Sequence, residues 1–327
     1  MSSAVDCHAH YVSPRVLAAL ASADPGHYGV TVEQSASGEA VLRIGGTPSR
    51  PLPADLRDLS RRADWLADVG LGVQAVGTWM DVTGYDLPAE QGAAWSRLLN
   101  EAVAADLADQ RRYLGLATLP MQDGRLAAAE LEYAIGTLGF RGAMVGTNVN
   151  GGGLDAPGLD PLWQAAQAAD VTIVLHPYLV AGAERMRQYW LANLVGNPLD
   201  TAIAAASLIF GGVLDRFPEL RFLLVHGGGS IPFQIGRLER GFAVRQETRV
   251  HGVTTPPLDY LRRFFYDTVV FHPPALKYLA ETVGADRVVV GSDYPFDLGD
   301  PRPLDVVRAA GLTEGVLVDN GSRLLGL

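Results

Sequence analysis

A single cysteine, Cys7, stands in a chain of 327 residues. It excludes an internal disulfide and fits a reducing compartment. Positive charge is also scarce: Lys and Arg number 26 against 36 Asp and Glu, for a formal net charge of −10. A nucleic-acid surface would need clustered Lys and Arg facing the phosphates, so no nucleic-acid partner is expected. The balance leaves an anionic small molecule open as substrate, since a site can be locally cationic inside an acidic protein. Nearly all the basic residues are arginine, and Lys277 is the one lysine. Long apolar runs are missing as well. Each is broken by Gly, Asp or Arg well short of a membrane span, so no membrane association is expected. The N-terminus lacks a charged segment followed by an apolar one, which leads us to expect no secretory signal and a cytoplasmic location. No Gly-rich phosphate loop follows the first predicted strand, which disfavours a doubly wound open sheet.

What is present is apolar sequence in quantity, 48% of the chain, enough for a large core. Short β-rich runs at 5–8, 73–79, 113–119, 142–146, 172–176, 222–226, 264–270 and 288–292 alternate with helical patterns. Runs such as "VTIVLH" and "RFLLVH" are continuously apolar, as strands of a parallel sheet buried on both faces should be. "PADLRDLSRRADWLADVG", "AAWSRLLNEAVAADLADQ" and "PPALKYLAETVG" carry apolar residues at helical spacing, the first ending at Gly70, a C-cap candidate. Eight strands each followed by a helix predict an α/β fold of the (β/α)8 TIM-barrel type, with residues 1–327 as one domain. Residues 12–54 interrupt the first unit and contain "YGVTVEQSASGEAVLRIGG", read as a small β-hairpin insertion over the barrel mouth. Residues 177–200 form a second excursion on the same face.

Four of the seven histidines end predicted strands: His8, His10, His176 and His226. Asp293 ends the last strand in the same way. Residues i and i+2 of a strand share a face, roughly 6.5–7 Å apart, so His8 and His10 can reach one ion together. Taken alone, His-x-His is as easily one solvated and one packed histidine. A convergent set at the C-terminal ends of strands one, five, six and eight is harder to explain without an ion. Three imidazoles and a carboxylate suit Zn²⁺ first, with Mn²⁺ and Fe²⁺ compatible. His8, His10, His176 and Asp293 are the expected ligands, and His226 then stands close enough to exchange protons.

The pieces "DCHAHYVSP", "RGAMVGTNVNGGGLD", "VTIVLHPY", "RMRQYWLANLVGNPLDT", "FPELRFLLVHGGGSIPFQIGRLER", "FFYDTVV" and "VVVGSDYPF" together resemble the amidohydrolase superfamily, in the branch of aminocarboxymuconate-semialdehyde decarboxylase. They run collinearly over nearly the whole chain. The resemblance implies a TIM barrel, one divalent metal at the four residues named, and His226 as acid/base residue. It also implies that Arg237 contacts a substrate carboxylate, across a homodimer interface. Binuclear relatives bridge two metals with a carboxylated lysine on a middle strand, and Lys277 lies in a predicted helix instead. The reaction implied is metal-dependent non-oxidative decarboxylation of a small unsaturated or aromatic carboxylic acid, with Asp293 or His226 supplying the proton. The same site could equally serve a hydrolase of amides, esters or lactones, or a hydratase or ring-closing enzyme.

Further residues are expected near the substrate. Arg50 and Arg237 could pair with a carboxylate through a planar fork. Trp190 could roof the pocket, and His272, ending "VVFHPP", faces the mouth or packs against Pro273. Surface or packing roles account for these four as readily. Cys7 alternates away from His8 and His10 and is expected in the core. His27 and His251 fall in surface segments.

Overall fold

The computed structural model describes residues 4–327. It shows an α/β fold. The strands are β1 (Ala4–His10), β2 (Val30–Gln34), β3 (Ala40–Ile44), β4 (Thr47–Pro48), β5 (Leu71–Gly77), β6 (Tyr113–Gly115), β7 (Gly142–Gly146), β8 (Thr172–His176), β9 (Arg221–Leu224), β10 (Phe264–Asp267) and β11 (Val288–Val289). Two sheets are parallel, in the orders β1-β5-β6 and β11-β10-β9-β8-β7. Backbone bonds join them at both edges. Ala117 N–H donates to the Gly142 carbonyl at 2.8 Å, and Cys7 N–H and His10 N–H donate to Val290 and Tyr294, both at 2.8 Å.

Helices follow each parallel strand, among them Leu59–Asp68, Ala89–Leu107, Gly124–Gly136, Ile231–Val244 and Pro273–Val283. Local chemistry sets their ends. Asp58 accepts from Ser60 and Arg61 N–H, and Asp123 from Arg125 and Leu126 N–H, so both helices start on a carboxylate cap. Gly70, at φ +78°, turns the chain out of the first of them. β7 and β8 are buried at every residue, which is why they read as unbroken apolar runs. Among the described residues no helix is long and apolar enough to cross a membrane.

The segment after β1 is richer than two strands. Helix Pro14–Ser22 precedes the antiparallel sheet β2-β3-β4. That sheet closes a second core, in which Leu42, Ile44, Leu52 and Leu56 pack with Trp79 and Trp95. Pro at the first turn and the Ser13 cap, which accepts from Arg15 N–H, start the helix. The pattern around Ser13 and Pro14 carried this signal unread.

Five strands end earlier than their predicted runs: β5 at Gly77, β6 at Gly115, β9 at Leu224, β10 at Asp267 and β11 at Val289. Beyond β9 and β11 the chain passes through left-handed backbone at His226 (φ 54°) and Asp293 (φ 58°). For residues with a Cβ such conformations cost energy and gather at functional sites. Gly227–Gly229 make the turn after His226. A Cβ on Gly229 would lie 2.1 Å from the Pro198 carbonyl oxygen, so a close passage against Pro198 requires glycine there.

Candidate metal centre

Asp293 is the hub of the site. Its Oδ1 lies 3.3 Å from His8 Nε2, 3.0 Å from His10 Nε2 and 4.0 Å from His176 Nε2, while Oδ2 lies 3.4 Å from His226 Nε2. The structure thus brings all five of these residues together. His8 and His176 stand between the other two imidazoles, each contacting both His10 and His226 edge to face. One ligand atom from each of His8, His176, His226 and Asp293 falls within 4.8 Å of the others, a group able to hold a divalent ion.

The outer nitrogens orient the rings. His8 Nδ1 meets Asp267 Oδ2 at 2.7 Å, His10 Nδ1 the Thr78 carbonyl at 3.3 Å, and His176 Nδ1 the Pro177 carbonyl at 3.0 Å. A proton on Nδ1 donates in each case and leaves the Nε2 lone pair facing inward. His8 Nε2, His10 Nε2, His176 Nε2 and Asp293 Oδ1 are all buried without a hydrogen-bond partner. Each such atom costs roughly 1–3 kcal/mol unless something satisfies it. Three inward lone pairs and a carboxylate oxygen fit a divalent cation. His226 differs: its buried, unpaired atom is Nδ1, and its Nε2 faces Asp293 Oδ2.

Burial pulls the His8 imidazole down, but Asp293 and Asp267 on either side outweigh it and raise its pKa to about 10. Burial depresses His176 to about 3. In the metal-free protein His8 is therefore charged at neutral pH and must lose that proton to ligate. We predict that metal uptake at neutral pH releases about one proton per ion and that affinity rises with pH toward the His8 value. Calorimetry in buffers of different ionisation enthalpy measures this, and uptake without proton release would contradict it.

Sequence reasoning missed the residues that hold these ligands. Asp267, at the end of β10, binds His8 and accepts from Gly227 N–H at 2.8 Å and Val269 N–H at 3.1 Å. The bond to His8 keeps its carboxyl below the ordinary range despite burial. A carboxylate inside "FFYDTVV" was the available signal. Asp267→Asn is expected to weaken metal affinity by about 10–100-fold. Equilibrium dialysis against graded metal buffers reads this, and unchanged affinity would remove Asp267 from the site.

A second network lies behind β1. Asp6 accepts from His8 N–H at 3.1 Å, Gln74 Nε2 at 2.7 Å and Ser292 N–H at 3.0 Å. Arg62, fully buried, donates to Gln74 Oε1 at 2.8 Å and to the His10 carbonyl, its guanidinium stacked 4.6 Å over the Tyr294 ring. These contacts tie the His-x-His strand to the Ser292–Tyr294 turn that carries Asp293. Cys7 faces the core, as alternation required.

Above the site opens a cavity of about 590 Å³ lined by His176, Asp293, Trp79, Arg50, Trp190 and Phe296, among others. Arg50 pairs with Asp81 at 2.7 and 2.9 Å and stacks 4.7 Å over Trp79. Trp190 is 54% exposed at the rim. Arg237 is exposed on the helix Ile231–Val244, and His272 is exposed ahead of the helix Pro273–Val283; neither lines the cavity.

Known proteins resemble this chain in sequence and fold. The chain is 34% identical over 306 residues to 2-amino-3-carboxymuconate-6-semialdehyde decarboxylase of Dictyostelium discoideum, covering 91% of this chain and 85% of that one. Its fold matches 5-carboxyvanillate decarboxylase of Sphingomonas paucimobilis with a TM-score of 0.82 at 24% identity, over 100% of both chains. It also matches a dihydroxybenzoic acid decarboxylase of Polaromonas sp. JS666, solved with manganese and the inhibitor 2-nitroresorcinol, with a TM-score of 0.81 at 23% identity, covering 100% of this chain and 98% of that one. A sequence model described as Amidohydrolase matches residues 5–327, a span that holds every residue of the centre. The chain belongs to the amidohydrolase family.

Proposed function

We infer that the chain is a metal-dependent non-oxidative decarboxylase of a small aromatic or unsaturated carboxylic acid. The observation that carries the reading is the set of buried, unpaired atoms on His8, His10, His176 and Asp293, in a chain whose relatives are decarboxylases. Those four residues are the ligands in this reading. His226 is left outside because its Nε2 faces Asp293 Oδ2 and not the inward point. The bonds joining the parallel sheets at both edges support closure into an eight-stranded (β/α)8 barrel, with β2–β4 as an insertion at its mouth.

When bound, a divalent ion supplies a positive anchor for the substrate carboxylate and a neighbouring oxygen. Mn²⁺ stands beside Zn²⁺ as the ion, given the manganese in the Polaromonas decarboxylase. The His226–Asp293 pair delivers a proton to the carbon bearing the carboxylate. The bond to the carboxylate then breaks, its electron pair returns to the conjugated system, and carbon dioxide leaves. Trp79, Trp190 and Phe296 offer aromatic walls, and Arg50 a cation at the rim. His272, exposed beyond the lining, is left outside the substrate cavity in this reading.

The exposed apolar residues Tyr189, Trp190, Leu194, Val195 and Phe233 support a homodimer in which Arg237, four residues after Phe233, reaches the partner's cavity. The lone, buried Cys7 agrees with a cytoplasmic location. Incubation of the metal-loaded protein with 2,6-dihydroxybenzoate, 5-carboxyvanillate and aryl amides tests the reaction class. Release of carbon dioxide from an acid is expected. Cleavage of amides without decarboxylation of any acid would overturn it.

A further inference from the structure

The opposite end of the strands carries a different chemistry. A pocket of about 500 Å³ opens beneath β9, β10 and β11 and is lined by Arg221, Arg262, Arg263, Arg287 and Arg323. Three carboxylates share the lining, those of Asp170, Glu219 and Asp286, so the pocket has excess positive charge inside an acidic protein.

Two of these guanidinium groups are oriented by neutral oxygens. Arg263 donates to the Leu214 and Pro218 carbonyls at 2.7 and 2.6 Å, and Arg323 to the Asp286 carbonyl at 3.2 Å and Asn320 Oδ1 at 2.8 Å. Carbonyls fix a guanidinium in place but leave its charge unmatched. Asp286 is shared by two arginines at long range, 3.5 Å from Arg262 Nη2 and 3.4 Å from Arg287 Nε. Arg221 is drawn to Asp170 at the rim. The Nε groups of Arg221 and Arg287 are buried with no hydrogen-bond acceptor. Fixed planar forks, surplus charge and unmet donors are the features of an anion site. Phe265, beneath the Arg287 guanidinium at 5.1 Å, gives the pocket an apolar floor that stiffens it.

We propose that this pocket binds a small organic or inorganic polyanion through paired carboxylate or phosphate oxygens, apart from the metal centre. The two sites lie at opposite ends of the same strands: Arg221 begins β9 and Arg287 precedes β11, whereas His226 and Asp293 follow their C-terminal ends. Occupying the pocket requires no change in the catalytic residues.

The test is calorimetric titration of the metal-loaded, full-length protein at constant ionic strength, with inorganic phosphate and with propane-1,2,3-tricarboxylate. Binding lost in the variants Arg287→Gln and Arg262→Gln is assigned to the pocket and binding retained in them to the metal centre; the probe whose variant-sensitive binding is tighter identifies phosphate or carboxylate as the ligand chemistry. Saturable binding of at least one is expected, weakened about tenfold or more in Arg287→Gln and in Arg262→Gln, with decarboxylase turnover retained. Arg262 is 59% exposed with one long contact, so its replacement leaves the fold intact. Binding of neither probe, or equal binding by both variants and the parent, would overturn the proposal.

Discussion

Replacing His226 with asparagine is expected to leave the metal in place and to lower turnover by about two to four orders of magnitude. The expectation follows from how the two nitrogens of this ring differ from those of its neighbours. His8, His10 and His176 each commit Nδ1 to an oxygen and turn an unpaired Nε2 inward. His226 instead meets Asp293 through Nε2, 3.4 Å from Oδ2, and its backbone is held left-handed at φ 54°. It is also the most exposed of the four imidazoles, with 15% of the side chain open. A ring so placed touches the hub carboxylate, and through Asp293, which lines the cavity, it can pass a proton toward the substrate. Elemental analysis with steady-state kinetics on the same preparation checks both halves. Metal loss equal to that of a ligand variant would make His226 a ligand, and full turnover would remove it from proton transfer.

The second large effect is expected at His10 and His176. Alanine at either removes one of four expected ligands and leaves two imidazoles and Asp293 in a site shaped for a fourth donor. Metal affinity should fall by well over the roughly 10–100-fold typical of an outer hydrogen-bond partner, and activity with it. His10 is the sharper case, because the tight distance group of His8, His176, His226 and Asp293 omits it. Its Nε2 nevertheless lies 3.0 Å from Asp293 Oδ1, unpaired and fully buried. Metal stoichiometry in His10→Ala and His226→Asn, measured side by side, decides between the two quartets. Loss in the first and retention in the second is the expected pattern.

The clustered imidazoles and Asp293 were legible because each interrupts something regular. His176 and Asp293 stop apolar runs, and His8 and His10 alternate on one strand. The supporting groups were not, because their partners are remote in sequence. Asp267 meets His8 across 259 residues, and Asp6 meets Ser292 across 286. Arg62 reads as one of several arginines on an amphipathic helix, and only the fold shows it buried against the His10 carbonyl. Strand ends were overestimated before His226 and Asp293 because hydropathy continues past the last paired residues, Leu224 and Val289. The antiparallel pair β2–β3 was legible as alternating runs around a turn, whereas the helix Pro14–Ser22 and β4 were too short to stand out. Arg237 and His272 are both exposed outside the cavity of the single chain, whose aromatic walls are Trp79, Trp190 and Phe296.

The most direct measurement is turnover of an accepted acid in heavy water enriched in heavy oxygen, with the product and the released gas followed together. One deuterium is expected on the carbon that lost its carboxylate for each carbon dioxide released, and His226→Asn is expected to suppress both in step. Heavy oxygen from water entering a newly formed carboxylate, with no gas released, would contradict it.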